Sequence, residues 1–269
     1  MSVIASETAS PRQILEFLLA AGVDLPLGDE PVNRLAPPPV PAAPVREATE
    51  TKPQIVAAPA LAGPEEAAAN AREIAKAALD LEALRAALDA FDGCALKKTA
   101  SRLVFADGNP KARIMIIGEA PGRDEDEIGR PFVGRAGQLL DKMLAAIGLD
   151  RTSVYIANTV PWRPPGNRTP TPQEIAVCMP FILRQIELAA PDILVTMGAP
   201  SSQTLLNQKD GILRLRGRWL SFTVGGRAIP AIPMLHPAYL LRSPAQKNLA
   251  WRDLRALKAK LEALGPRQA

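Results

Sequence analysis

The feature that most constrains this chain is an alternation of short apolar runs with longer amphipathic stretches between about residues 112 and 264. "ARIMIIGEA" reads as a buried strand ending near Glu119, and "GQLLDKMLAAIGL" as an amphipathic helix. "SVYIANTV" is a second strand. "TPQEIAVCMPFILRQIELAA" is a second helix, with Thr171 as cap and Pro172 at its first position. "DILVTMG" is a third strand, followed by a short helix near 199–207. "RAIPAIPML" is a fourth strand with unusual prolines, ending at His236, and "SPAQKNLAWRDLRALKAKLEAL" is a closing helix capped by Ser243. A helical pattern also runs through "PEEAAANAREIAKAALDLEALRAALDAF", and no internal repeat is visible. Fully apolar strands separated by helices need both sheet faces covered, which argues for a mainly parallel α/β sheet. Ligands in such sheets sit beyond the carboxyl ends of the strands. Glu119, Asn158 and His236 all fall at predicted strand ends.

Composition divides the chain. Residues 1–75 carry eleven of the 27 prolines, several of them in "APPPVPAAP". Such a segment buries too little apolar area to offset chain entropy and is expected to be a disordered, mobile extension. One island within it, "SPRQILEFLLAAG", has the caps of a short helix near 10–21, which would dock on the main domain or on a protein partner. Residues 76–265 are expected to form the functional domain. Net charge follows the same division, −5 over residues 1–75 and +9 over 76–269, so a polyanion would meet the second part. Two cysteines make no disulfide framework, and no apolar run reaches the ~18–20 residues of a membrane span. A cytoplasmic protein with no membrane partner is expected.

Three segments carry chemistry. "GEAPGRDEDEIGRPFVGRAGQLL" has five glycines that let backbone approach a ligand, and it leads into a helix N-terminus. It has neither dinucleotide nor Walker spacing. Its acidic run, Asp124 to Glu127, reads as a solvated loop or as a site for a divalent metal. "WRPPGNRTP" displays Arg163 and Arg168 on a stiff loop, suited to phosphates or simply solvated. "PMLHPAYLLRSPAQ" holds His236, the only histidine. A lone histidine beside apolar residues is ordinarily a core ring, and its place level with Glu119 and Asn158 is what makes a catalytic reading competitive.

These motifs, in order and spacing, resemble the family 4 uracil-DNA glycosylases over about residues 91–260. The resemblance implies a three-layer α/β/α sandwich with a short central sheet. It implies removal of uracil from single- or double-stranded DNA by hydrolysis of the N-glycosidic bond, in the bacterial cytosol near the nucleoid and as a monomer. By that match His236 is a neutral donor to the departing base, and Phe132 stacks on the flipped uracil. Asn158 reads its edge, and Gly118 and Ala120 line the uracil site. Glu119, Glu125 or backbone carbonyls position the attacking water. Ala120 stands where some superfamily members carry a polar water-activating residue, so a strong general base is not implied. Arg163, Arg168, Arg242 and Ser243 would contact DNA.

The chain departs from the family pattern at the cysteines. Family 4 enzymes hold a [4Fe–4S] cluster on four thiolates. Here Cys94 and Cys178 keep two of those positions, while Phe91 and Trp162 occupy the others. The expectation is no cofactor and no metal, with Phe91 and Trp162 filling the cluster's volume beside two buried, neighbouring thiols. Two alternatives follow: a weak or inactive lesion-binding protein of the same fold, and a nucleotide hydrolase using the acidic loop with a metal.

Overall fold

The computed structural model describes residues 64–265, together with Arg12 and Glu16. The helix expected near 10–21 lies outside the described residues, except that Arg12 and Glu16 are helical and form an i,i+4 ion pair at 3.0 Å. The described residues 64–265 all belong to the compact unit that contains the sheet. Its helix Pro64–Ala77 spans the 75/76 boundary that composition suggests.

Six strands form one sheet: β1 (Asp107–Gly108), β2 (Ile114–Gly118), β3 (Val154–Asn158), β4 (Ile193–Met197), β5 (Leu220–Val224) and β6 (Arg227–Met234). Their order is β1-β3-β2-β4-β6-β5. The four central strands are parallel, and both edge strands pair antiparallel. The sheet is therefore mainly parallel, as expected, but β1 and β5 went unread. β1 has only two residues, and β5 alternates in burial because one face is wet, so neither shows the continuous apolar run of the central strands.

Successive strand residues face opposite ways, and the three layers follow from that period of two. Ile114, Ile116, Val154, Ile156, Ile193, Val195 and Ile232 pack with Leu140 and Leu144 of helix Arg135–Ala145 and with Leu254 and Leu257 of helix Lys247–Ala263. Met115, Ile117, Tyr155, Ala157, Leu194 and Ala231 pack with Ile182 and Ile186 of helix Pro172–Ala189 and with Leu205 and Leu206 of helix Ala199–Leu206. Each fully buried aliphatic side chain contributes about 1.5–3 kcal/mol relative to exposure.

Several details refine the sequence reading. Thr171 caps its helix reciprocally with Glu174, as expected. The long helical pattern before the sheet is two helices, Pro64–Ala77 and Leu81–Ala90, because Asp80 leaves helical geometry and accepts the Ala83 N–H at 2.7 Å. The closing helix begins at Lys247, not at Ser243, since a 3-10 turn over Pro244–Gln246 intervenes. The β6 prolines are tolerated geometrically. The Pro233 carbonyl accepts the Gly217 N–H, which lies before β5 begins, and the missing Pro233 N–H faces that same side. Among the described residues no helix is long and apolar enough to cross a membrane.

Candidate active site

The carboxyl ends of β2, β3, β4 and β6 open into a cavity of about 630 Å³. It is lined by Glu119 and Ala120 after β2, Asn158 at the end of β3, Met197 and Gly198 at β4, and Leu235 and His236 after β6. Phe132, Glu125, Arg168 and Arg242 reach it from the connecting segments. The predicted residues at the strand ends are thus brought together. Gly118 lies directly behind them. A β-carbon there would stand 2.4 Å from Asn158 Oδ1 and 2.8 Å from the Phe132 ring, so only glycine lets both groups approach.

Phe132 sits on a backbone that L-residues seldom adopt, with φ of 55°. Its ring is buried and packs in offset fashion on the His236 imidazole, with centroids 5.4 Å apart and planes 27° apart. The Phe132 carbonyl lies where a side chain of residue 137 would be, 1.6 Å from an added β-carbon, so glycine is obligatory there as well.

His236 is the N-cap of helix Pro237–Arg242, and its Nδ1 accepts the Ala238 N–H at 3.1 Å. An accepting Nδ1 carries no proton, so the neutral ring is the Nε2–H tautomer. Desolvation by burial, and then the nearby Arg242 guanidinium, lower its pKa from 6.5 to about 4. Asn158 is buried and lines the cavity. Glu119 presents a buried oxygen, Oε1, without a partner among the described residues. Burial raises its pKa above the ordinary carboxylate value, opposed by a hydrogen bond from Thr169. Buried polar atoms without partners are rare and mark places where a ligand or water completes the set.

The other candidates are arranged differently. The acidic run is a helix, Arg123–Ile128, rather than a loop. Glu125 touches the cavity, but its carboxylate accepts three backbone N–H groups: Gly122 at 3.1 Å, and Val133 and Gly134 at 2.9 Å each. Asp126 is buried and accepts from Ser101 and Arg102. Among the described residues no group of three His, Cys, Asp or Glu side chains is arranged to hold a metal. Arg168 holds Glu174 through two parallel bonds of 2.9 and 2.7 Å, and Arg163 donates to Asn167 Oδ1 at 2.7 Å. Arg242 is exposed at the cavity rim, while Ser243 ends the helix that begins at His236. Arg151, missed in the sequence, fastens the Phe132 loop. The signal available there was an arginine just before the second strand, which has no meaning until the fold brings residues 131–132 beside it.

Cys94 and Cys178 are both buried, and their sulfurs are 3.9 Å apart. Their mutual hydrogen bond lowers the Cys94 pKa and, with burial, raises that of Cys178. Phe91, Trp162 and Phe181 pack in the same apolar cluster, with the Phe91 and Phe181 rings 5.1 Å apart. A [4Fe–4S] cluster takes four thiolates, and this chain has two cysteines in all. The residues present do not fit it.

The sequence profile described as the Uracil DNA glycosylase superfamily matches residues 105–255. The Type-4 uracil-DNA glycosylase of Thermotoga maritima is 41% identical over 175 residues, spanning 64% of this chain and 90% of that protein. The Type-4 uracil-DNA glycosylase of Archaeoglobus fulgidus is 44% identical over 155 residues, spanning 56% and 78%. That of Saccharolobus solfataricus is 41% identical over 175 residues, spanning 63% and 81%.

Proposed function

The chain belongs to the uracil-DNA glycosylase superfamily, and from that premise we propose how its own side chains divide the work. It is a DNA-repair hydrolase that excises uracil from DNA by cleaving the N-glycosidic bond. The observation that carries the assignment of roles is the convergence of Phe132, Asn158, His236 and Glu119 on one cavity.

A stacked base cannot enter this cavity, so the nucleotide is first turned out of the helix. Uracil then lies on the face of Phe132 left uncovered by the offset imidazole. Its edge meets the Asn158 amide, whose donor suits O4 and whose carbonyl suits N3–H. Cytosine presents the reverse pattern and leaves buried polar groups unpaired, which is the stronger form of discrimination. As the bond breaks, the sugar gains oxocarbenium character and the leaving base gains negative charge. The His236 Nε2–H is the neutral donor to that charge. A preorganised donor of this kind is worth about 3–4 kcal/mol. Glu119, with its unpartnered oxygen, positions the attacking water. Gly118 and Ala120 form the floor of the site. Glu125 organises the loop, and Arg168 and Arg242 at the cavity, with Arg163 and Ser243, face the DNA.

No step needs the iron–sulfur cluster. On this reading the enzyme has no cofactor, and Phe91 and Trp162 occupy the cluster's place as an apolar plug. The reading extends to a cytosolic monomer, with residues 76–265 as the catalytic part. The lesion-binding alternative is not favoured, because relatives matched over most of their own length are Type-4 uracil-DNA glycosylases. The test compares matched oligonucleotides containing uracil or cytosine. Abasic sites from uracil alone support the reading, whereas tight binding of uracil DNA without cleavage would overturn it.

A further inference from the structure

We propose that Arg151 is the positioning residue for the stacking ring, and that it sets how tightly the enzyme holds a flipped uracil. The proposal rests on the reading that Phe132 stacks on the base. Arg151 stands just before β3, with a half-buried side chain. Its guanidinium donates to Asp107 of β1 at 2.6 Å and to Asp141 of helix Arg135–Ala145 at 2.8 Å. Two further N–H groups go to consecutive carbonyls, Pro131 at 3.2 Å and Phe132 itself. The two carboxylates fix the fork, and the fork fixes the loop.

The loop needs fixing because Phe132 occupies left-handed backbone, which costs of order 1–3 kcal/mol for a residue of this kind. It is gripped from both sides. Arg151 takes the carbonyls of 131 and 132, while the Glu125 carboxylate takes the N–H groups of 133 and 134. Gly137 lets the Phe132 carbonyl sit against the helix start. Releasing either grip lets the backbone relax to negative φ, which turns the ring away from Gly118 and Asn158. The planar fork supplies donors in several fixed directions at once. A lysine would supply charge alone.

The experiment is a double-mutant cycle on the full chain, with Arg151→Gln, Phe132→Ala and both together. KM, kcat and inhibition by free uracil are measured on a uracil oligonucleotide. Stacking acts on bound substrate and transition state alike, so its loss raises KM more than it lowers kcat. Arg151→Gln is expected to raise KM and the uracil inhibition constant by about 10- to 100-fold. Adding it to Phe132→Ala is expected to change little further. Arg151→Lys, which keeps the charge, should fall between wild type and Arg151→Gln. It serves as the test variant if Arg151→Gln does not fold. If Phe132→Ala alone leaves KM unchanged, the stacking reading itself fails. If Phe132→Ala raises KM but the Arg151 effect adds to it in full, or falls on kcat alone, the role proposed for Arg151 is overturned.

Discussion

The imidazole of His236 and the ring of Phe132 overlap in an offset stack, with centroids 5.4 Å apart and planes 27° apart. That separation leaves no room for a base between them, because two stacking gaps need about 7 Å, the far limit for an aromatic pair. A base stacked on the free part of the Phe132 face, as proposed, would lie roughly in the imidazole plane. The donor would then meet the carbonyl edge rather than the ring face. On the proposed roles, one contact places both the stacking surface and the electrophile.

The state of that imidazole has a measurable consequence. Its folded pKa, about 4, lies below its ordinary value of 6.5, so the folded protein binds fewer protons than the unfolded chain between those values. Stability from this group is complete above pH 6.5 and is lost as pH falls toward 4. Urea denaturation at pH 7 and pH 5 should show a larger loss for wild type than for His236→Asn. Equal losses would mean that His236 is not held neutral.

Gly118→Ala tests the close approach behind the cavity. The added carbon would meet Asn158 Oδ1 at 2.4 Å and Phe132 at 2.8 Å. Overpacking of this kind costs about 1–3 kcal/mol. The variant should remain folded by circular dichroism while losing most of its excision rate. A variant with the wild-type rate would show that the site does not depend on that contact.

Glu119 is predicted to act as its carboxylate. Burial raises its pKa, so the charged form accumulates only above the ordinary carboxylate range. The rate should climb with pH along an acid limb displaced upward from the usual value, and Glu119→Gln should abolish that limb. A limb retained in Glu119→Gln would assign the water to another group.

The two cysteines carry a prediction about metal content. Protein purified without oxygen should contain no stoichiometric iron and no broad absorbance near 400 nm. About four irons per chain would contradict the apolar plug formed by Phe91 and Trp162.

Much of this was legible in the sequence. The central strands show because they are buried on both faces and read as unbroken apolar runs, as in "IMII" and "ILVTM". Thr171 and Pro172 mark their helix by capping chemistry that is local. Edge strands β1 and β5 do not show, since one is two residues long and the other is half wet. The acidic run reads as a loop from composition. It is helical because Glu125 satisfies the Gly122 N–H and Asp126 is buried against the Ser101 and Arg102 amides, a partner about 25 residues away in the chain. Arg151 and the left-handed Phe132 were illegible for the same reason: their partners are set by the fold and not by spacing.

The most direct test is excision from a uracil oligonucleotide in EDTA by wild type, Asn158→Ala and His236→Ala, each first shown to be folded. Wild type is predicted to leave abasic sites without added metal, and each variant to lose about 100-fold or more in rate, the scale of removing one preorganised donor. Near-normal rates in both variants, or wild-type activity only when metal is restored, would contradict the account.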